Sequence, residues 1–349
     1  MGMAQNLKPK TVGTPHLRLI NIVTLFILFA IVPLFTRSPY HLNLLIMSGI
    51  YAVLAMTFVL LLRTGLISLA IAAFWGIGAY SSTMMVLKLN VSFWLSLPLS
   101  VIITGVFGLG LGFILLQNPG FGFVAMTMMM GLLFSVAVGS TAFLGGYPGI
   151  FNIPRPENVR LPLLPPIQFA SDVAFYYLMM VLVLAIVLVF SAFYRAWTGR
   201  AWTAIGLNKP LAESLGINVF RYRMVAFVVA ATAAGLMGSF YAHYQAAVNP
   251  ETFNLFRTMY VHIYAILGGL GFPVLGPVIG SLLMVFFAEV MRFAQDIQPI
   301  IIGGLLIVLI VFLPKGLLSL PGLQEFTTDP IQSVAKLGRA ISGLGMRKT

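Results

Sequence analysis

Four histidines, eight acidic residues and no cysteine are all that this 349-residue chain offers for catalysis, metal ligation or proton transfer. Without cysteine there is no thiolate nucleophile, thiolate metal site or disulfide. His16, His41, His243 and His262 are scattered, and neither an H-E-x-x-H nor a carboxylate-rich metal motif occurs. No G-x-x-x-x-G-K-[ST] phosphate cradle occurs either, so the chain carries no nucleotide-hydrolysing site of that kind. Of the histidines only His262 falls well inside an apolar run, where it reads as an interhelical hydrogen-bonding group or as a proton relay. Glu289 and Arg292 stand three apart, a spacing that pairs them on one helix face. No charged residue sits in the middle of any apolar run, which weakens an ion-coupled carrier, since such carriers use buried ionisable groups. One stretch is chemically distinctive. From Ser68 to Tyr80 it combines small residues with Phe74, Trp75 and Tyr80, which suits a helix that bends or approaches another closely beside a solute pathway. Ser68, Phe74, Trp75, Tyr80 and His262 are therefore the candidate pathway residues, with plain helix packing as the alternative.

The elements that position these residues follow from composition. Hydrophobic residues make up 60% of the chain and charged ones 8%, with a mean hydropathy of +1.01, which excludes a water-soluble globule. Charge-free runs then mark the spans. Leu19 to Thr36, Ser38 to Leu62 and Thr64 to Leu87 are each near the roughly 20 residues that a crossing helix needs. Leu89 to Pro154 divides at Gln117 to Gly120 into two more. Val173 to Tyr194, Met224 to Tyr244 and Ile297 to Pro314 add three. The uncharged run Thr258 to Ala288 contains a knot of Gly268, Gly269, Gly271, Gly276 and Pro277 and is expected to form two spans around it. The fold class expected is thus an all-α polytopic membrane protein with about ten transmembrane helices. A single tilted helix over 258–288 would give nine.

Basic residues orient the chain. With ten spans and both termini cytoplasmic, the outer side keeps only Arg37, Lys88, Arg155, Arg160, Arg257 and Arg292 of the 20 Lys and Arg, in accord with the positive-inside rule. The formal charge of +12 is then a signal of topology and not of nucleic-acid binding. The expected organisation is a cytoplasmic tail over 1–18, a membrane domain over 19–314 and a basic cytoplasmic tail over 315–349. The tail reads as an interfacial helix or as disorder. An outer loop at 145–172 is stiffened by six prolines. The one substantial inner loop, 195–223, shows helical spacings, a break near Pro210 and Gly216 as a C-terminal stop.

Several stretches, in order, resemble the longer, M-type membrane subunit of branched-chain amino-acid ABC transporters. Ser68 to Tyr80 is similar to the family's S-L-G-H-A-A-F-F-G-I-G-A-Y, although Ala70 and Ile71 stand where the family has Gly-His. Gly199-Arg200-Ala201 through Asn218 resembles its cytoplasmic G-R-A-L-x-A-I…A-x-x-L-G-I-N loop, with Gly206 to Lys209 replacing a more charged run. Leu267 to Gly271 with Gly276 to Gly280 resembles the G-G-L-G…G-P-x-x-G knot, and Pro314 to Leu318 the closing P-x-G-L. The resemblance implies a permease subunit in a bacterial inner membrane that forms half of a path for branched-chain amino acids or a related small solute. Its implied partners are a second homologous permease, two cytoplasmic ATPases and a periplasmic or extracellular binding protein. The chain would bind no cofactor itself; ATP and Mg would be used by the ATPases. The inner loop would be the coupling segment, with Gly199 and Gly216 bounding it, Arg200 and Glu213 as polar contacts, and Ala204, Ala212 and Leu215 as a docking face. An ion-coupled carrier or a passive channel, either acting without an ATPase, is the competing class.

Overall fold

The computed structural model describes residues 38–118, 120–157, 171–294 and 316–319, together with 26, 29–31, 33, 297, 300–304 and 307. The tails over 1–18 and 320–349, most of the expected first and last spans, and 158–170 of the outer loop lie outside the described residues. Ten helices are described: α1 Pro39–Leu62, α2 Ile71–Leu89, α3 Phe93–Leu115, α4 Phe121–Ser140, α5 Asp172–Arg195, α6 Trp197–Leu207, α7 Lys209–Ser214, α8 Val219–Gln245, α9 Leu255–Gly268 and α10 Leu275–Val290. A two-residue antiparallel ladder joins β1 Ile150–Phe151 to β2 Ala247–Val248.

Five of the described helices, α1, α3, α4, α5 and α8, are long and apolar enough to cross a membrane. The protein is a helical, multi-pass membrane protein, and α1 is its centre: 83% of its apolar window is buried, against 22% for α4 and 28% for α3. The outward faces of α3 and α4 carry Val106, Phe113, Met129 and Leu133 in the open, as helices that face lipid or another subunit do.

The core joins by close approach of small residues, because apolar contact alone gives little drive for helix association in lipid. A Cβ on Gly78 of α2 would collide with the backbone of Gly235 on α8. The Gly108 and Gly112 pair likewise faces Ala231, Met224 and Phe227 of α8, the plain packing role of a G-x-x-x-G. A polar knot reinforces this contact. Ser82 of α2 lies 3.0 Å from both Ser96 of α3 and His243 Nε2 of α8, and Ser239 donates to Ser82 at 2.8 Å. His243 Nδ1 lies 2.8 Å from the Pro154 carbonyl, which can only accept. That nitrogen therefore carries the proton, and Nε2 accepts from Ser82.

Two expected spans are corrected. Thr64 to Leu87 is not one helix: α1 ends at Leu62, residues 63–70 are irregular, and α2 begins only at Ile71. The run 258–288 does divide at its Gly/Pro knot, but α9 has 14 residues, about 21 Å at 1.5 Å per residue, too short to cross a hydrocarbon core of ~30 Å. It also starts deep, with its first turn touching α1 at Tyr51, halfway along that helix.

The packing argument has a direct test. Gly78→Ala should lower the thermal midpoint of the detergent-solubilised protein by several degrees, because backbone meets the new methyl. Gly110→Ala on α3, where a Cβ meets nothing within 4 Å, should leave it unchanged or slightly higher. Size-exclusion chromatography after a temperature series reads both.

Candidate functional site: a broken helix wired to the α6–α7 end

A peptide group shielded from water needs a bonding partner from the protein, and much of the irregular stretch 63–70 is so shielded. Side chains of α4 and α9 supply such partners, and Arg223 of α8 supplies one more at Thr64. Leu69 N donates to Thr127 Oγ1 of α4 at 3.1 Å, and Ala72 N in the first turn of α2 donates to Thr258 Oγ1 of α9 at 3.1 Å. Ser68 Oγ accepts from Ala70 N at 3.3 Å, and the Ser68 carbonyl lies 3.1 Å from His262 Nε2. Since a carbonyl only accepts, Nε2 of His262 carries the proton. The ring of His262 meets Phe58 edge to face at 4.0 Å. Ser68, Thr127, Thr258 and His262 are all buried. His262 is thus the interhelical bonding group of the two readings its sequence position allowed.

The candidate pathway residues separate along α2. Phe74 turns to Phe227 of α8, with ring centroids 5.3 Å apart. Trp75 turns the other way into an aromatic cluster, 4.8 Å from both Tyr241 and Phe253 and 6.0 Å from Tyr51. Tyr80 extends that cluster through Phe253 and Phe134. Phe253 comes from the turn Pro250–Phe253, which returns inward after α8 ends at Gln245. Ser68 and His262 belong to the break, Trp75 and Tyr80 to the cluster, and Phe74 to the packing behind both. Sequence reading missed Thr127, Thr258, Tyr51, Tyr241 and Phe253, which are ordinary in an apolar run. Arg257, counted on the outer side, is exposed, and its guanidinium reaches the buried Tyr51.

The other end of the break meets α6 and α7. Gly206 of α6 lies directly on the Arg63 carbonyl, where no side chain fits, and Arg223 Nε of α8 donates to the Thr64 carbonyl at 3.0 Å. Arg63 lies over the Tyr194 ring at 4.8 Å, and Trp202 Nε1 donates to the Tyr222 carbonyl at 2.8 Å. The loop expected to break near Pro210 does so at Asn208, whose side chain caps α7 through Leu211 N. Gly216 is the left-handed stop expected of it, at φ +79°. Gly216 N bonds the Glu213 carbonyl and Ile217 N the Ala212 carbonyl, the paired closure of a Schellman motif.

Individual loop residues differ from their expected placement. Ala212 is buried and packs with Ile205 and Val219, and Ala204 packs against the same cluster, so neither side chain presents a face outward. Gly199 is buried against the Tyr194 carbonyl. Leu215 is 71% exposed and is joined by Leu207 at 84% and Leu211 at 57%. Arg200 is exposed, with its guanidinium 5.1 Å from the Trp197 ring, and Glu213 pairs with Lys209 at 3.6 Å.

The glycine knot forms a junction of its own. Gly268 packs on Gly276, Gly280 on the Tyr264 carbonyl, and Gly316 from the closing Pro314 to Leu318 stretch on Gly269. Pro277 is buried beside it, while Gly271 is exposed. Three sequence motifs, over Ser68 to Tyr80, 195–223 and the knot, therefore belong to one connected structure.

A family profile described as branched-chain amino acid transport system / permease component matches residues 40–313, which contain all of these features except Gly316. This chain belongs to that permease family. The permease is 28% identical over 305 residues to the high-affinity branched-chain amino acid transport system permease protein LivM of Salmonella typhimurium, covering 82% of this chain and 72% of that protein. Against LivM of Escherichia coli K12 the identity is 28% over 275 residues, covering 74% and 64% respectively. LivH of the same strain matches at 28% over 130 residues, 36% of this permease and 41% of LivH. No solved structure matches it.

Thr258 gives the test for the break. Thr258→Val keeps the side-chain shape but leaves Ala72 N without an acceptor, which costs about 1–3 kcal/mol. The thermal midpoint of the solubilised permease should fall. Thr203→Val, which removes only a bond within α6, should leave it within a degree.

Proposed function

We propose that this permease is one membrane subunit of an ATP-driven ABC importer and forms half of the path for branched-chain or other hydrophobic amino acids or a related small solute such as urea, an amide or an aromatic acid. It acts in a bacterial inner membrane with a second homologous permease. Two ATPase subunits supply energy from ATP and Mg at its α6–α7 end, and a soluble binding protein delivers solute at the opposite end. The family and the LivM and LivH relatives support the solute class and the paired permease. The observation that carries the energy coupling is the contact between α6–α7 and the break. Gly206 on the Arg63 carbonyl and Arg223 on the Thr64 carbonyl join the α6–α7 end to the start of α2 without a flexible linker. A rigid shift of α6–α7 is thereby handed to Ser68 and to the aromatic cluster beyond it.

The surface that receives the ATPase is formed by Leu207, Leu211 and Leu215 with Arg200 and Glu213 beside them. Gly216 holds this surface in place, since a β-branched residue at φ +79° costs at least ~1–2 kcal/mol of backbone strain even though the space around it is open. Gly216→Val should therefore leave the permease inserted and folded. ATP-driven uptake of L-leucine by the reconstituted complex should fall at least about fivefold, through lost ATPase binding or loss of coupling. Arg200→Glu should act in the same direction. Both are measured as uptake and ATP hydrolysis in proteoliposomes. Normal assembly and unmodified uptake in both variants would reduce the loop to a connection. Uptake by the permease under an ion gradient with no ATPase present would establish the carrier class instead.

A further inference from the structure

Arg257 stands in the first turn of α9, where Asn254 Oδ1 accepts its backbone N–H at 3.0 Å and fixes its position. Its Nη1 donates to Tyr51 Oη at 3.2 Å, halfway along the most buried helix of the protein. Thr258, the next residue, already meets the start of α2. Tyr51 and Tyr264 meet edge to face at 5.4 Å, and Tyr241 shares the Trp75 ring with Tyr51. Despite this setting Arg257 stays exposed, so the site is open on one side.

A guanidinium brings five N–H donors, and Tyr51 takes one. Among the described residues no carboxylate pairs with Arg257; the ion pairs there are Arg155 with Asp172, Lys209 with Glu213 and Arg292 with Glu289. A cation set against a buried tyrosine without a carboxylate partner leaves donors for an anion, and such residues usually mark solute or ion paths. The neighbouring cluster is short of acceptors as well. Trp75 Nε1, in ring contact with Tyr51, and Tyr80 Oη, which joins Trp75 through Phe253, are buried with no hydrogen-bond partner among the described residues. The first turn of α9 adds the positive end of its dipole. Unused donors and positive charge therefore meet beside an apolar aromatic wall.

We propose that Arg257 and Tyr51 form a carboxylate-binding site in the translocation path, with Trp75, Tyr241, Phe253 and Tyr264 taking the apolar side chain of the same solute. The proposal rests on the transporter reading above and narrows it to solutes that carry a free carboxylate. Guanidinium and carboxylate match as parallel N–H···O pairs, the geometry that makes such bonds strong. A carboxylate of the companion permease would satisfy the same donors, and assembly distinguishes the two sources.

The absence of cysteine from the chain supplies the test. Arg257→Cys is reconstituted with the other subunits, themselves lacking accessible cysteines, and ATP-driven uptake of radiolabelled L-leucine is measured. Loss of a charge-assisted bond predicts a fall of about 10- to 100-fold. ATP hydrolysis stimulated by the loaded binding protein should stay within about twofold, since the coupling contacts are intact. Treatment with a cationic ethylammonium methanethiosulfonate should restore much of the uptake, and the anionic sulfonatoethyl reagent should not. Arg257→Lys should retain more uptake than Arg257→Gln. Uptake unchanged in Arg257→Cys, or equal effects of the two reagents, would overturn the proposal. Failure of Arg257→Gln to copurify with the companion permease would assign the anion to that subunit and overturn it too. No leucine uptake by the unmodified complex would count against the transporter reading, whereas the contrast between reagents reads the arginine alone.

Discussion

A peptide group shielded from water must find its hydrogen-bond partner within the protein, and the break between α1 and α2 is where this permease meets that demand without a helix. Every polar side chain at the break is explained by it. Thr127, Thr258 and His262 come from α4 and α9 and reach the backbone of Leu69, Ala72 and Ser68 respectively. Three helices are therefore held at one point by bonds that have no water to replace them. Thr64, Leu66, Ser68 and Ala70 are buried, while Gly65 and Ile67 face outward.

The same break gives the α6–α7 end its mechanical meaning. Arg63 and Thr64 present carbonyls that the end of α1 leaves free, and Gly206 and Arg223 cover them. Close approach is needed at one and charge at the other, which accounts for a glycine late in α6 and a buried arginine at the start of α8. The Schellman closure at Gly216 ends α7 sharply and turns Ala212 and Ile217 into the small cluster beneath, so the exposed leucines stand on a firm base.

Beyond the break, Trp75 links this end to the aromatic cluster and thus to Arg257. A shift of α2 along its own axis would move Trp75 against Tyr51, Tyr241 and Phe253 together, since all three touch its ring. The α6–α7 end and the Arg257 cluster therefore both contact α2 and the break that precedes it. The short ladder of β1 and β2 and the bond from His243 to Pro154 tie the outer loop to α8, so that end is braced as well. Arg155, expected on a free outer surface, lies over Phe175 and within 3.9 Å of Asp172.

Much was legible in the sequence because lipid imposes a simple rule on composition. Charge-free runs located α1, α3, α4, α5 and α8, and glycine and proline located the division between α9 and α10 and the stop at Gly216, since each is a local consequence of residue type. The i, i+3 pair of Glu289 and Arg292 forms as well, at 3.1 Å. Tertiary structure alone decided what depends on depth and on distant partners. An uncharged run does not reveal that residues 63–70 are irregular, because Thr127 and Thr258, more than fifty residues away, are what make a break affordable there. Ala204 and Ala212 fit either side of a short helix, and the contact with Ile205 and Val219 turned them inward. Arg257 marks the boundary of an apolar run and so reads as a surface residue. That its guanidinium meets Tyr51 was decided by the chain folding back through Phe253, a tertiary event that no residue spacing records.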